Sequence, residues 1–208
     1  MTATIVVQEI TGTGPKVFTT ITNRVRLFTA DQATNQSTPQ ITYPVPIPAA
    51  GFSYSYWKHV CLDISSTFTS VGNIRHYSDS AIGWNFGSGG QLRRGARDSG
   101  DQGVAVDDLN GHSDGYQIAA GSQGVTGYTL EDGTNGHAFY KGQTTPTANV
   151  ASDVAPNGCS IEGAANAITA AGKSKAIVFQ VKVDTVANGA ASGVQTAETM
   201  TWKYDVID

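Results

Sequence analysis

The run Phe52-Ser-Tyr-Ser-Tyr-Trp-Lys-His-Val-Cys-Leu-Asp-Ile-Ser65 alternates with a period of two along its whole length. Phe52, Tyr54, Tyr56, Lys58, Val60, Leu62 and Ile64 fall on one side, and Ser53, Ser55, Trp57, His59, Cys61, Asp63 and Ser65 on the other. Successive side chains of an extended chain point to opposite faces, so this pattern predicts a strand with one buried face. A helix would scatter the same residues around its axis.

Working outward, Thr4–Ile10 alternates until Gly12 and Gly14-Pro15 break it, and Val17–Thr29 reads as one long strand, or two with a bulge at Thr22-Asn23. Residues 30–39 are polar and turn-rich. Gln40–Ile47 alternates again, but Pro44, Pro46 and Pro48 lack ladder donors, which predicts an edge strand. After a turn at Val71-Gly72-Asn73, Ile74–Tyr77 supplies another short strand, with His59 and His76 facing each other across a sheet. Lys175–Asp184 is a strong strand with Ile177, Phe179, Val181 and Val183 inward; Glu198–Val206 is another, with Met200, Trp202, Tyr204 and Val206 on one face.

Between these ends the character changes, since 18 of the 24 glycines lie in residues 83–172 and no alternation persists there. Long loops are predicted, with short strands at Tyr116–Ile118, Tyr128–Leu130 and Ala138–Tyr140. Ser160–Ala171 is a poor helical candidate because Gly163 interrupts a thin apolar face. The expectation is an all-β fold: residues 1–208 form a single β-sandwich or jelly-roll-like domain with long Gly-rich loops over 83–172 and at most one short helix, its terminal strands pairing with early ones.

Composition narrows the function. Charged residues make up 14% of the chain against a typical share of about 25%. The net charge of −4, without a basic stripe, argues against nucleic acid as a partner. No run of 18 apolar residues occurs, and the N-terminus has neither a basic segment nor an apolar core, so neither a membrane span nor a signal peptide is expected in the chain as given. Cys61 and Cys159 could close one long loop as a disulfide, contributing about 4–5 kcal/mol in the chain-entropy picture, or remain reduced and buried. Neither has metal-site spacing.

No catalytic signature is present: there is no G-x-S-x-G, and Gly87-Ser-Gly-Gly90 is followed by no G-K-[ST]. His59, His76, His112 and His137 match no metal or base motif, and only His112 and His137 sit in Gly-rich surroundings. Asp107, Asp108, Asn110 and Asp114 gather hard oxygen ligands around turn glycines, a candidate Ca²⁺ site, although the bidentate closing Glu of an EF-hand is missing and an Asp/Asn/Gly turn explains the same letters. Arg93, Arg94, Asp98 and Asp101 form a charged cluster suited to a solvated loop or an intersubunit patch. Trp84, Phe86, Tyr116, Tyr128, Phe139 and Tyr140 are candidate binding or assembly residues that can stack on sugar rings or anchor loops to a neighbouring subunit.

The runs Phe52–Ile64, Asn73-Ile-Arg-His-Tyr77 and Thr201-Trp-Lys-Tyr-Asp205 resemble strands of small β-sandwich virion structural proteins of tailed phages and archaeal viruses. The resemblance implies a capsid-decoration, minor-capsid or fibre role in a homo-oligomer or lattice, located in the virion or on an extracellular surface, and transfers no site residues. The expected function is therefore a non-enzymatic, self-assembling structural protein whose partners are itself and other particle proteins. Residues 1–10 or 199–207 would connect subunits by strand addition, and removal of 1–10 would leave a folded monomer. The alternative is a carbohydrate-binding or receptor-binding module that uses the loop aromatics on a glycan.

Overall fold

The computed structural model describes residues 3–11, 17–22, 24–29, 39–55, 58–78, 89–96, 159–160, 167–174, 177–193 and 199–208. Their regular structure is almost entirely antiparallel strand, which bears out the all-β expectation. In chain order the strands are β1 (Thr4–Thr11), β2 (Val17–Thr20), β3 (Ser53–Tyr54), β4 (Lys58–Ser65), β5 (Ser70–Ser78), β6 (Gly90–Ala96), β7 (Cys159–Ser160), β8 (Gly172–Lys173), β9 (Ile177–Val183) and β10 (Met200–Ile207). One helical turn, α1 (Pro39–Thr42), and a 3-10 turn at Val186–Asn188 complete the described elements.

The first sheet is organised by two antiparallel ribbons, β3 followed by β4 and β8 followed by β9. Tyr54 pairs with Lys182, Lys58 with Phe179, Val60 with Ile177, and Asp63 with Lys173. Between Tyr54 and Lys58 the first ribbon takes four steps while the second takes three. Between Val60 and Asp63 the imbalance is reversed. Each ribbon thus carries one extra residue, and the two irregularities cancel.

A buried serine stands at the margin of each shift. Ser55 N–H donates to the Val181 carbonyl at 2.9 Å, while Val181 N–H donates to Ser55 Oγ at 2.9 Å. Ser174 repeats the device: its N–H donates to the Leu62 carbonyl at 2.9 Å, and its Oγ accepts from Leu62 N–H at 2.9 Å. Both serines are buried, so without these hydroxyls two ladder N–H groups would lie away from water with no acceptor.

β1 pairs with β4 from Thr4–Ser65 to Ile10–His59, and β2 continues the sheet beyond it. On the far side β6 pairs with β9 along its whole length, from Gly90–Val183 to Ala96–Ile177. Gly89, just before β6, lies against the backbone of Gly189 and Ala190 so closely that a Cβ would collide with it, and its carbonyl accepts from Asp184 N–H at 3.0 Å. A side chain there would prise β6 from the turn after β9.

The second sheet has the order β10-β5-β7. Asn73 is an extra residue in β5 where the β10 register jumps between Lys203 and Asp205. Its φ of 56° is the left-handed conformation that Asn tolerates better than most residues, and its Nδ2 donates to Asp205 Oδ2 at 2.8 Å. The two sheets contribute to one apolar cluster: Val60, Leu62, Ile64, Ile177 and Phe179 from the first, Val71 and Ile74 from the second, with Met200, Trp202 and Val206 of β10 against it.

Several expectations change. Gly90–Ala96 is a strand inside the stretch read as loop, because its seven residues pair with β9 although their sequence has no alternation. Ser160–Ala171, a poor helical candidate by sequence, is indeed not helical where it is described, and Ile168 there bridges to Val71. Gln40–Ile47 forms no strand: Pro39, with its fixed φ and no N–H to lose, opens α1, and the prolines carry residues 43–48 outside any ladder. Val17–Thr29 is strand only to Thr20, although Val25 and Leu27 still pack on the core. The turn at Asn73 is instead a bulge within one continuous strand.

β1 pairs with β4 from Thr4 to Ile10 and with β2 from Gln8 to Thr11, and it buries Gln8, Glu9, Ile10 and Thr11, so β1 is built into the sheet and is not a free connector. Ser55→Ala and Ser174→Ala should each lower the unfolding free energy by about 1–3 kcal/mol, the cost of an orphaned buried donor. Urea unfolding followed by tryptophan fluorescence measures this, and wild-type stability in either variant would contradict the role given to the hydroxyls.

Candidate functional site

Polar groups enter the interior in pairs whose chemistry follows from strand register. Glu9 on β1 and Lys58 on β4 share the face of the first sheet that carries Val60, Leu62 and Ile64, because Glu9 pairs with Val60. Lys58 Nζ meets Glu9 Oε1 at 2.7 Å with both side chains buried, and stands 4.5 Å from the centre of the Phe28 ring. An ion pair this dry is held by contact and by the ring face, since neither charge reaches water.

The opposite face carries Gln8, Asp63 and Lys173. Lys173 Nζ donates to Gln8 Oε1 at 2.6 Å and to Asp63 Oδ1 at 2.9 Å, Gln8 Nε2 donates to Asp63 Oδ2 at 3.1 Å, and the ammonium lies 4.6 Å from the Phe18 ring centre. Cys61 lies on this same face as a free, buried thiol packed with Ile10 and Phe18. Burial pushes it up to about 12, against a smaller pull from Lys173 and a small push from Asp63. A thiol protonated throughout the neutral range is not a nucleophile. Cys159 pairs its backbone with His76 in the second sheet, on the other side of the core, so the disulfide alternative does not form.

His59 and His76 do not meet, contrary to expectation, because they lie in different sheets. His59 is buried on the Cys61 face of β4, whereas His76 on β5 reaches the core between Phe179 and Trp202, edge-on to both at 5.4 and 5.0 Å between ring centres. Its ring joins the two sheets as an aromatic member of the core.

Of the residues singled out by sequence, Asp107, Asp108, Asn110 and Asp114, the proposed Ca²⁺ ligands, lie outside the described residues. So do Trp84, Phe86, Tyr116, Tyr128, Phe139, Tyr140, His112 and His137. Among the described residues no group of three or more His, Cys, Asp or Glu side chains converges on a metal position, and no helix is long and apolar enough to cross a membrane.

Among the described residues, β2, β6, β7 and β10 each have an outer edge that pairs with no further strand, and the longest of these strands is β10. It pairs with β5 alone, with Tyr204 37% and Ile207 60% exposed, while Trp202 and Val206 on the same strand pack on the core. The sequence placed Tyr204 on the inward face with Met200, Trp202 and Val206, and the alternation gave no sign that it would remain half open. Comparison of the chain with protein-family models, with curated proteins and with solved structures finds no match in any of the three.

Two outcomes test this account of the polar interior. Glu9→Leu or Lys58→Met alone should cost about 3–5 kcal/mol, and the double variant should recover most of it, because each single variant leaves a buried charge without its ion-pair counterion; equal losses in single and double variants would contradict this. For Cys61 the folded thiol holds its proton up to about 12 while the unfolded thiol loses it near its ordinary 9.0, so its contribution to stability is full below pH 9 and fades as pH rises toward 12. Denaturation curves at pH 8 and above 9 should show that loss in the wild type and less of it in Cys61→Ala. Iodoacetamide at pH 8 should label Cys61 only after unfolding.

Proposed function

We propose that this protein is a non-enzymatic structural component of a virion or other extracellular assembly, a β-sandwich that joins subunits through its C-terminal strand and Gly-rich central segment. The observation that carries this reading is the outer edge of β10, an eight-residue strand that among the described residues pairs with β5 alone and exposes Lys203, Tyr204, Asp205 and Ile207. A strand of that length offers backbone donors and acceptors to another strand, and its exposed Lys203, a residue type that guards edges against chance pairing, restricts it to a partner that neutralises the charge.

A sandwich arrangement is supported by a core cluster drawn from both sheets, with Phe179, His76 and Trp202 in a row between them. The low charged fraction favours surfaces that desolvate few ions on assembly. The non-enzymatic part of the reading draws support from Cys61, whose thiol is protonated, and from Lys58, Glu9, Lys173 and Asp63, which are engaged in ion pairs.

Light scattering on chromatographed protein tests the proposal. Masses at multiples of 21.7 kDa that grow with concentration are expected. A single 21.7 kDa species at every concentration would overturn it.

A further inference from the structure

We infer that the partner of β10 is β10 of a second copy, paired antiparallel about a two-fold axis through Tyr204, which makes the first step of assembly a symmetric dimer with the second sheet continuous across the seam. The inference rests on the assembly reading above and adds the partner, the register and the symmetry. Its basis is the charge pattern of the strand, Met200-Thr-Trp-Lys-Tyr-Asp-Val-Ile207, in which Lys203 and Asp205 flank Tyr204 and all three are exposed.

In an antiparallel pair centred on Tyr204, Lys203 of each copy lies opposite Asp205 of the other, so two opposite-charge pairs form on one face. Trp202 lies opposite Val206 on the other face, next to the two tyrosines on the axis. Directly opposed residues in antiparallel strands share a face, so the side of β10 that packs on each core through Met200, Trp202 and Val206 becomes one apolar surface across the seam. Tyr204, 37% exposed in the single chain, is then covered by its symmetry mate.

Other registers are worse for stated reasons. A two-residue slip in either direction sets Lys203 against Lys203 or Asp205 against Asp205. A one-residue slip turns the apolar face of one copy to the side where the other carries its charges. In-register parallel pairing opposes like charges at both positions.

The outer edges of the other described terminal strands lack this self-complementarity. β2 is four residues long and uncharged, β7 is two residues long, and β6 has the sequence Gly-Gln-Leu-Arg-Arg-Gly-Ala, with two arginines and no acid. The hydrogen bond from Asn73 to Asp205 occupies one carboxylate oxygen and holds the side chain on the charged face, with the second oxygen able to accept from a lysine.

The test is charge reversal with rescue, read by light scattering and sedimentation, with thermal unfolding as the check on folding. Lys203→Asp should weaken the dimer about tenfold or more, since each attraction becomes a repulsion. Adding Asp205→Lys should restore it, because the reversed pairs are again complementary. Tyr204→Cys should form a covalent dimer under mild oxidation, as directly opposed Cα atoms in an antiparallel pair lie within disulfide range. This variant keeps the test decisive even if Asp205→Lys disturbs the bulge at Asn73.

Self-association that is indifferent to Lys203→Asp, with no cross-link at position 204, would overturn the β10 pairing while leaving the assembly reading intact. A wild-type protein that stays monomeric would overturn both.

Discussion

The ribbon pair formed by β3–β4 and β8–β9 is the constraint on which the rest of the structure depends. β1 is hydrogen-bonded to it on one flank and β6 on the other, with β2 attached through β1, and its apolar face carries most of the core residues of that sheet. Two irregularities of opposite sense cancel, so the ribbons recover their relative register, and beside each a serine hydroxyl stands in for a backbone carbonyl. A side-chain oxygen can do this because it reaches the same distance as the carbonyl it replaces while leaving the local chain free to carry an extra residue.

The same ribbons decide which polar groups go inside. Placing Val60, Leu62 and Ile64 against the second sheet obliges Lys58 to face inward too, and Glu9 arrives opposite through the β1 register. A one-residue slip of β1 would move Glu9 to the other face and leave Lys58 buried without it, at a cost of several kcal/mol. The ion pair therefore acts against misregistration more than it adds to stability. His76, edge-on to Phe179 and Trp202, extends the row of rings from one sheet to the other.

Edges matter for assembly in the same terms. β1 and β10 both lie near chain ends and both alternate in sequence, so either could connect subunits by sequence alone. Pairing separates them: β1 is flanked by two strands and buries Glu9 and Ile10, whereas β10 has one described neighbour and leaves Tyr204 and Ile207 in solvent. The self-pairing inferred for that edge draws on the Lys203-Tyr204-Asp205 triplet, whose charges are complementary to those of a second copy.

By itself the sequence determined the all-β character, the inward positions of β4 and β9, and the pairing of late strands with early ones, because period-two alternation is local and survives in any β context. It also showed that Lys58 lies on the apolar side of its strand, without showing what would neutralise it. Tertiary structure decided what depends on a distant partner: that the unpatterned Gly90–Ala96 is a strand because β9 offers a free edge, that Asn73 bulges a strand instead of ending it, that Glu9 meets Lys58, and that His59 and His76 belong to different sheets. Local alternation records which side of a strand is apolar; which edge remains free, and which charge finds its counterion, is set by segments far away in the chain that the alternation does not encode.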